Sequence, residues 1–173
     1  MNIYLFPTDM EAAPFRELQP SARVVVSGVG MAATAATLAE LYRKGTLDGV
    51  RVVLAGLAGT YGDGVAVGDV VEVTQECCAE LPERFRRSYK VAKSTGLCAV
   101  RANSVHRGVA ESCGAEVENM EGAALFAMAE ALGFEVVEVR AISNRVGEPY
   151  AMWRVEEALR ALALALKNIE ENG

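Results

Sequence analysis

VENMEGAALFAMAEALGFEVVEVRAISNRV, residues 117–146, is the stretch on which the fold turns. Asn119 is a good helix N-cap, and the apolar residues after it, from Met120 to Leu132, repeat at helical spacing. Gly133 stops that run, because a helix often ends on a left-handed residue and glycine adopts that conformation without strain. Val136-Val137-Glu138-Val139 then supplies the β-branched density of a strand, which ends at Ser143-Asn144. In a parallel α/β sheet the start of a helix and the end of the next strand lie on one edge. Glu121, expected in the first helical turn, and Asn144, expected just past the strand, therefore face one crevice. The plainer alternative is a capped core helix and a buried strand, with Glu121 complementing the helix dipole and Asn144 serving as a turn residue.

Outward from this stretch the same alternation recurs. Strands are predicted at residues 3–6, 23–26, 50–54, 69–74 and 97–100, and helices at 31–44 and 152–169. Thr8 or Asp9 caps a further helical segment that includes Glu11, and residues 102–110 read as a loop or frayed helix. Met31, Ala35, Leu38 and Tyr42 share one helix face, and Val155, Leu159, Leu162, Leu166 and Ile169 form the stripe of the last helix. No linker or repeat interrupts the chain. One domain over residues 1–173 is expected, a three-layer α/β/α fold on a mixed sheet.

Composition narrows the function. A net charge of −6 argues against a nucleic-acid or anionic-membrane surface. No apolar run reaches the ~20 residues of a membrane span, and residues 3–6 are too short for a secretory signal. A cytoplasmic protein is expected. Cys77, Cys78, Cys98 and Cys113 match no zinc or redox spacing and read as reduced, mostly buried thiols. His106 is the single histidine, which argues against a histidine-centred triad or a multi-histidine metal site. The arginines at 84, 86 and 87 read as a solvated face.

Three further features fall beyond strand ends: Glu11, the turn Ser27-Gly28-Val29-Gly30, and the small-residue turn at 55–60 that contains Ala58 and Gly59. Glycine there permits close backbone approach to a ligand, and N–H groups at a helix start make a polar cradle. The glycines lack the spacing of a dinucleotide fingerprint and the lysine of a P-loop. Two carboxylates, an amide and backbone donors remain. Glu121 suits two vicinal hydroxyls, Met120 offers a soft surface to a sugar, and Glu11 can deprotonate a water. Asn144 can donate to a ring nitrogen or carbonyl but cannot act as an acid, and Asn119 and Ser143 fall in the same pocket. Such a set fits N-glycosidic cleavage, in which an oxocarbenium ion and a leaving base are stabilised without metal or cofactor.

The motifs PTDMEAAPF (7–15), SGVGMAATA (27–35), AGLAGTYGDGVAVGDVVEVT (55–74), VENMEGAALF (117–126) and VRAISN (139–144) together resemble the nucleoside phosphorylase and nucleosidase superfamily, in the family's order. NMEGAA, CAELPERF (78–85) and the tail at 140–159 look most similar to its futalosine hydrolase branch. The resemblance implies hydrolysis of a purine nucleoside, with hypoxanthine leaving futalosine in menaquinone biosynthesis. Methylthioadenosine-type nucleosidase, purine nucleoside phosphorylase and a non-catalytic nucleoside-binding domain are the alternatives. It further implies that Glu11 activates water, that Glu121 and Met120 hold the ribose, and that Ser27, Gly28, Ala58 and Gly59 line the ribose and nucleophile pocket. Asn144 stands where methylthioadenosine nucleosidases carry the aspartate that protonates the purine. An amide there favours a 6-oxopurine, whose N7 and O6 are both acceptors. No phosphate-binding arginine is identifiable, since Arg23 and Arg51 fall within strands, and hydrolysis is preferred to phosphorolysis. A homo-oligomer is implied. The chain is shorter between Glu11 and Ser27 than family members usually are.

Overall fold

The computed structural model describes residues 1–108 and 111–172. The chain runs β1 (Asn2–Phe6), α1 (Asp9–Leu18), β2 (Arg23–Val26), α2 (Met31–Arg43), β3 (Arg51–Thr60), β4 (Val70–Cys78), β5 (Ser88–Lys90), β6 (Cys98–Ser104), β7 (Val117–Asn119), α3 (Gly122–Leu132), β8 (Glu135–Arg145) and α4 (Val155–Asn172). The sheet is mixed, in the order β2-β1-β3-β7-β6-β4-β5, and β8 bridges β3 and β4. β1 is parallel to β2 and β3, and β8 is parallel to β3 but antiparallel to β4. Because β3, β8, β4, β6 and β7 pair in a closed circuit, five of the eight strands curl into a ring.

Two apolar clusters cover the sheet's faces. Leu38 of α2 and Leu125 and Phe126 of α3 pack on Ile3, Leu5, Val52 and Leu54. Phe15 of α1 and Leu159, Leu162 and Leu166 of α4 pack on Tyr4, Phe6, Val53, Val137 and Val139. The strand side chains alternate between these clusters, as period-two patterning requires. The three-layer architecture is thus the expected one.

Several local expectations are corrected. The small-residue stretch at 55–60 is strand, because β3 continues to Thr60 and pairs with β8. β6 reaches Ser104, so residues 102–104 are extended, while residues 109 and 110 of the expected loop lie outside the described residues. In α2 the buried positions are Thr34 and Leu38, and Tyr42 is exposed. Cys77 and Cys78 are half-buried and Cys98 and Cys113 exposed, all of them free, so the thiols are not mostly buried. Arg87 pairs with Glu130 and Arg84 lies over the Phe85 ring, as a solvated face permits.

Candidate active site

The carboxyl ends of β3 and β8 and the starts of α1 and α3 surround a cavity of about 690 Å³. That size suits a nucleoside-sized ligand. Glu11, Ala58, Gly59, Asn119, Met120, Glu121, Ser143 and Asn144 all line it. Ser27 and Gly28 do not. The Ser27 hydroxyl donates to the Phe6 and Gly28 carbonyls, and Val29 is the residue of that turn which reaches the cavity.

Glu11 comes from a short-range signal put to long-range use. Thr8 caps α1, its hydroxyl oxygen accepting from Glu11 N–H at 3.2 Å. The spacing Thr-x-x-Glu is that of a capping box. Here the carboxylate turns toward the sheet, accepting from the Thr8 hydroxyl at 2.7 Å and from Leu57 N–H at 3.0 Å. Glu11 is 8% exposed, and burial raises its carboxyl above the ordinary glutamate value despite these two donors and nearby Arg140. A carboxylate so placed suits a general base working near neutrality.

Asn119 caps α3 chemically but from outside the helix. It ends β7, paired with Ser104, and its side-chain oxygen accepts from Glu121 and Gly122 N–H at 2.9 and 2.8 Å. Glu121 consequently sits at the N-cap and not in the first turn. Its Oε1 accepts from Gly30 N–H at 2.9 Å and its Oε2 lies 3.2 Å from Arg140 Nη2. One donor of the glycine cradle is therefore committed to aiming Glu121. Each carboxylate oxygen keeps further lone-pair capacity for ligand hydroxyls.

Arg140 is the residue that the sequence reading missed. It is 1% exposed on β8, between Glu121 and Glu138, with Nε 2.8 Å from Glu138 Oε1 and Nη2 3.0 Å from Asn119 Oδ1. A Cβ at Gly56 would come within 2.7 Å of Arg140 Nη1 and 3.0 Å of Glu11 Oε1, so the guanidinium and the Glu11 carboxyl share the space above that glycine. Behind Arg140 lie Glu76 and Glu138, both fully buried. Ser104 donates to Glu76 Oε2 at 2.8 Å and Asn119 Nδ2 donates to Glu76 Oε1. Glu138 Oε2 has no donor. Burial pushes Glu76 well above the carboxylate range, reinforced by Glu138, and burial likewise raises Glu138 against the pull of Arg140. The two carboxyls crowd the same space beside Gly122, and two buried carboxyls so close favour holding one proton between them. That proton supplies the donor missing at Glu138 Oε2. Gly122 is small of necessity, since a Cβ there would overlap both carboxyls.

At the other wall a bulge sets the base-facing groups. Ala58 pairs with Ile142 and Gly59 with Asn144, leaving Ser143 as the extra residue. Bulges re-aim side chains, and here Ser143 and Asn144 both reach the cavity. The Ser143 hydroxyl donates to Asn144 Oδ1 at 2.8 Å and Asn144 Nδ2 donates to the Arg145 carbonyl at 2.9 Å. These bonds leave one amide N–H directed elsewhere. Glu118 and Tyr61 also line the cavity and were not foreseen; the Tyr61 hydroxyl donates to Glu118 Oε2 at 2.8 Å. Among the described residues no group of three or more histidine, cysteine, aspartate or glutamate side chains is arranged to hold a metal ion. No helix among them is long and apolar enough to cross a membrane.

Comparison with known proteins shows a shared fold and family. Residues 83–171 match the phosphorylase superfamily. A futalosine hydrolase from Thermus thermophilus is 31% identical, the match covering 100% of this chain and 97% of the relative. The match runs over 222 positions against 173 residues, so gaps in this chain interrupt it. The solved structure of a 5'-methylthioadenosine/S-adenosylhomocysteine nucleosidase from Helicobacter pylori superposes with a TM-score of 0.85 at 16% identity, over 99% of this chain and 98% of its own. A futalosine hydrolase from the same species superposes equally, over 99% and 97%.

Proposed function

The chain belongs to the phosphorylase superfamily, and from that membership we propose that it hydrolyses the N-glycosidic bond of futalosine, releasing hypoxanthine and dehypoxanthine futalosine in menaquinone biosynthesis. The observation that carries the reading is the convergence of Glu11, Glu121 and Asn144 on one cavity, in a chain 31% identical to a futalosine hydrolase along its full length.

Each group has a role that its surroundings support. Glu121, held by Gly30 N–H and Arg140, receives the ribose hydroxyls, and Met120 packs on the sugar. Glu11, its carboxylate fixed by Thr8 and Leu57, takes the proton of the attacking water. The water oxygen bonds to the anomeric carbon as its bond to the purine nitrogen breaks. The electron pair of that bond leaves with the base, and negative charge develops over its ring. Asn144 cannot protonate the purine; its amide N–H stabilises that charge at N7 and O6, and solvent returns the proton to the departed base. An adenine in the same place would offer an amino group beside N7, where a donor meets a donor. The Arg140 guanidinium is already engaged by Glu121, Glu138 and Asn119, which favours water over phosphate as nucleophile.

The protein acts on a small nucleoside, with no nucleic-acid or membrane partner, as a cytoplasmic homo-oligomer, dimer or tetramer. Incubation with futalosine, inosine and methylthioadenosine, with and without phosphate, tests the reading. Hypoxanthine release that ignores phosphate is expected. Adenine release without hypoxanthine overturns it; phosphate-dependent release indicates a phosphorylase, and binding without turnover a non-catalytic module.

A further inference from the structure

Glu138 is a carboxylate buried where the sheet would accept an apolar side chain. Its direct partners in the neighbouring strands, Leu54 of β3 and Val73 of β4, share its face of the sheet, and both are fully buried. Glu138 itself is 0% exposed. A buried ion pair adds little net stability, and well-packed apolar residues in its place are often neutral or stabilising. The carboxylate therefore needs a reason other than stability, and its contact with Arg140 supplies one.

Arg140 follows two residues later on β8 and so stands on the same face. Its guanidinium carries five N–H donors in a planar fork. Nε donates to Glu138 Oε1 at 2.8 Å, Nη1 to the Leu57 carbonyl at 3.4 Å and Nη2 to Asn119 Oδ1 at 3.0 Å, while Glu121 Oε2 lies 3.2 Å from Nη2. Glu138 takes the shortest of these contacts, and it takes it at Nε, the atom on which the fork would otherwise swing. Fixing Nε fixes the plane of the fork and the direction of both Nη groups. Burial works against the Arg140 charge; Glu138, ahead of Glu121, more than restores it. The guanidinium is thus shared unequally, held closely by Glu138 and loosely by Glu121. The other ties on Glu121 are Gly30 N–H on its Oε1 at 2.9 Å and its own N–H on Asn119 Oδ1 at 2.9 Å. A carboxylate held in this way is aimed without being neutralised, and keeps its strength as an acceptor for vicinal hydroxyls.

We propose that Glu138 is a positioning residue that sets the grip of Glu121 on the ribose hydroxyls, by holding Arg140 through Nε and keeping it from closing onto Glu121. This rests on the purine-nucleoside reading above and goes beyond it. With an apolar side chain at position 138, Nε loses its acceptor and the fork is free to swing. Arg140 then pairs tightly with Glu121, the other carboxylate within ion-pair distance. The ribose hydroxyls must compete with a guanidinium for the same oxygens.

The test compares kcat/KM on inosine and 2′-deoxyinosine, or on the corresponding futalosine pair, for the wild type, Glu138→Leu and Glu138→Gln. Hydrogen bonding to a charged acceptor corresponds to a preference for the ribonucleoside on the order of 10- to 100-fold. In Glu138→Leu that preference should fall by about 10-fold or more, mainly through a raised KM for the ribonucleoside, because the 2′-deoxynucleoside asks less of Glu121. Glu138→Gln, whose amide oxygen can accept from Arg140 Nε, should keep most of the preference. Equal losses on the two substrates in Glu138→Leu, an unchanged preference, or a Glu138→Gln that loses it as fully as Glu138→Leu overturns the proposal. If Glu138→Leu does not fold, Glu138→Met, unbranched and closer in length, takes its place, and the comparison of wild type with Glu138→Gln stands in either case. If the wild type releases base from neither nucleoside, the function proposed above falls, and the same preference read as binding affinity decides the role of Glu138.

Discussion

Glu138→Gln isolates the proton that the buried carboxyl pair holds. Arg140 is the one fully buried cation among the described residues, and it faces four buried carboxyls: Glu11, Glu76, Glu121 and Glu138. It cannot balance them all. Burial raises the deepest two, Glu76 and Glu138, and one proton held between them would leave the pair a single negative charge. In Glu138→Gln a neutral amide replaces the carboxylate that Arg140 holds: its oxygen can accept from Arg140 Nε, its NH₂ can donate to Glu76, and the single negative charge of the pair moves to Glu76. The net charge of the cluster is unchanged; only the titratable proton is gone.

The consequence is a change in how stability depends on pH. Burial raises both carboxyls above their unfolded value, so the stability they contribute is complete below about pH 4.3 and is lost as pH rises through the raised folded values. Over that window folding takes up one proton that the unfolded chain releases, worth about 1.4 kcal/mol per pH unit. The variant has no such proton to take up. Urea denaturation of both proteins at half-unit steps from pH 4 to 8 measures the difference, in which contributions common to both cancel. The stability of Glu138→Gln relative to wild type should rise with pH, at up to about 1.4 kcal/mol per unit. Parallel curves across the range would refute the shared proton, and a relative stability that falls with pH would mean that both carboxyls are ionised in the native state.

Three other outcomes follow from the site. Glu11→Gln should lower kcat by about 10²- to 10⁴-fold while ligand affinity changes little, and the acid limb of wild-type kcat should lie above the ordinary glutamate value of about 4.3, because Glu11 must be ionised and burial raises it; stopped and steady-state assays over pH 4–8 check both. Asn144→Asp places an acceptor against the acceptors of a 6-oxopurine and should cost about 1–3 kcal/mol on hypoxanthine release, roughly 10- to 100-fold, with a smaller change in ribose affinity; equal losses in both would make Asn144 structural. Gly56→Ala must displace Arg140 Nη1 or Glu11 Oε1 and should destabilise by about 1–3 kcal/mol; thermal unfolding that matches wild type would show that the space above Gly56 is not shared.

What was legible in the sequence follows the range of the interaction. Glu11, Glu121 and Asn144 were found because each stands at a helix start or strand end, and local signals mark such places. Asn119 was found as a cap, and its oxygen does accept from the α3 N–H groups, yet pairing with Ser104 holds it on a strand. That pairing joins segments fifteen positions apart and leaves no local trace. The stretch at 55–60 looked like a turn because its residues are small, and small residues serve two purposes. Gly56 is small because Arg140 and Glu11 occupy the space above it, and Gly59 because Asn144 stands beside it. Arg140 itself did carry a signal: in VVEVRAI, Glu138 and Arg140 are charges two apart in an otherwise apolar strand, so they share a face that must be buried, and buried charges occur in pairs or networks. Glu76 in β4 offers no such local partner, since its donors come from Ser104 and Asn119. The roles of the site were therefore written at element ends, where chemistry meets solvent, while its charge balance was written inside strands. There only the closed circuit of β3, β8, β4, β6 and β7 brings the groups together. A motif can name the residues that meet the substrate, but the proton count behind them depends on strand order.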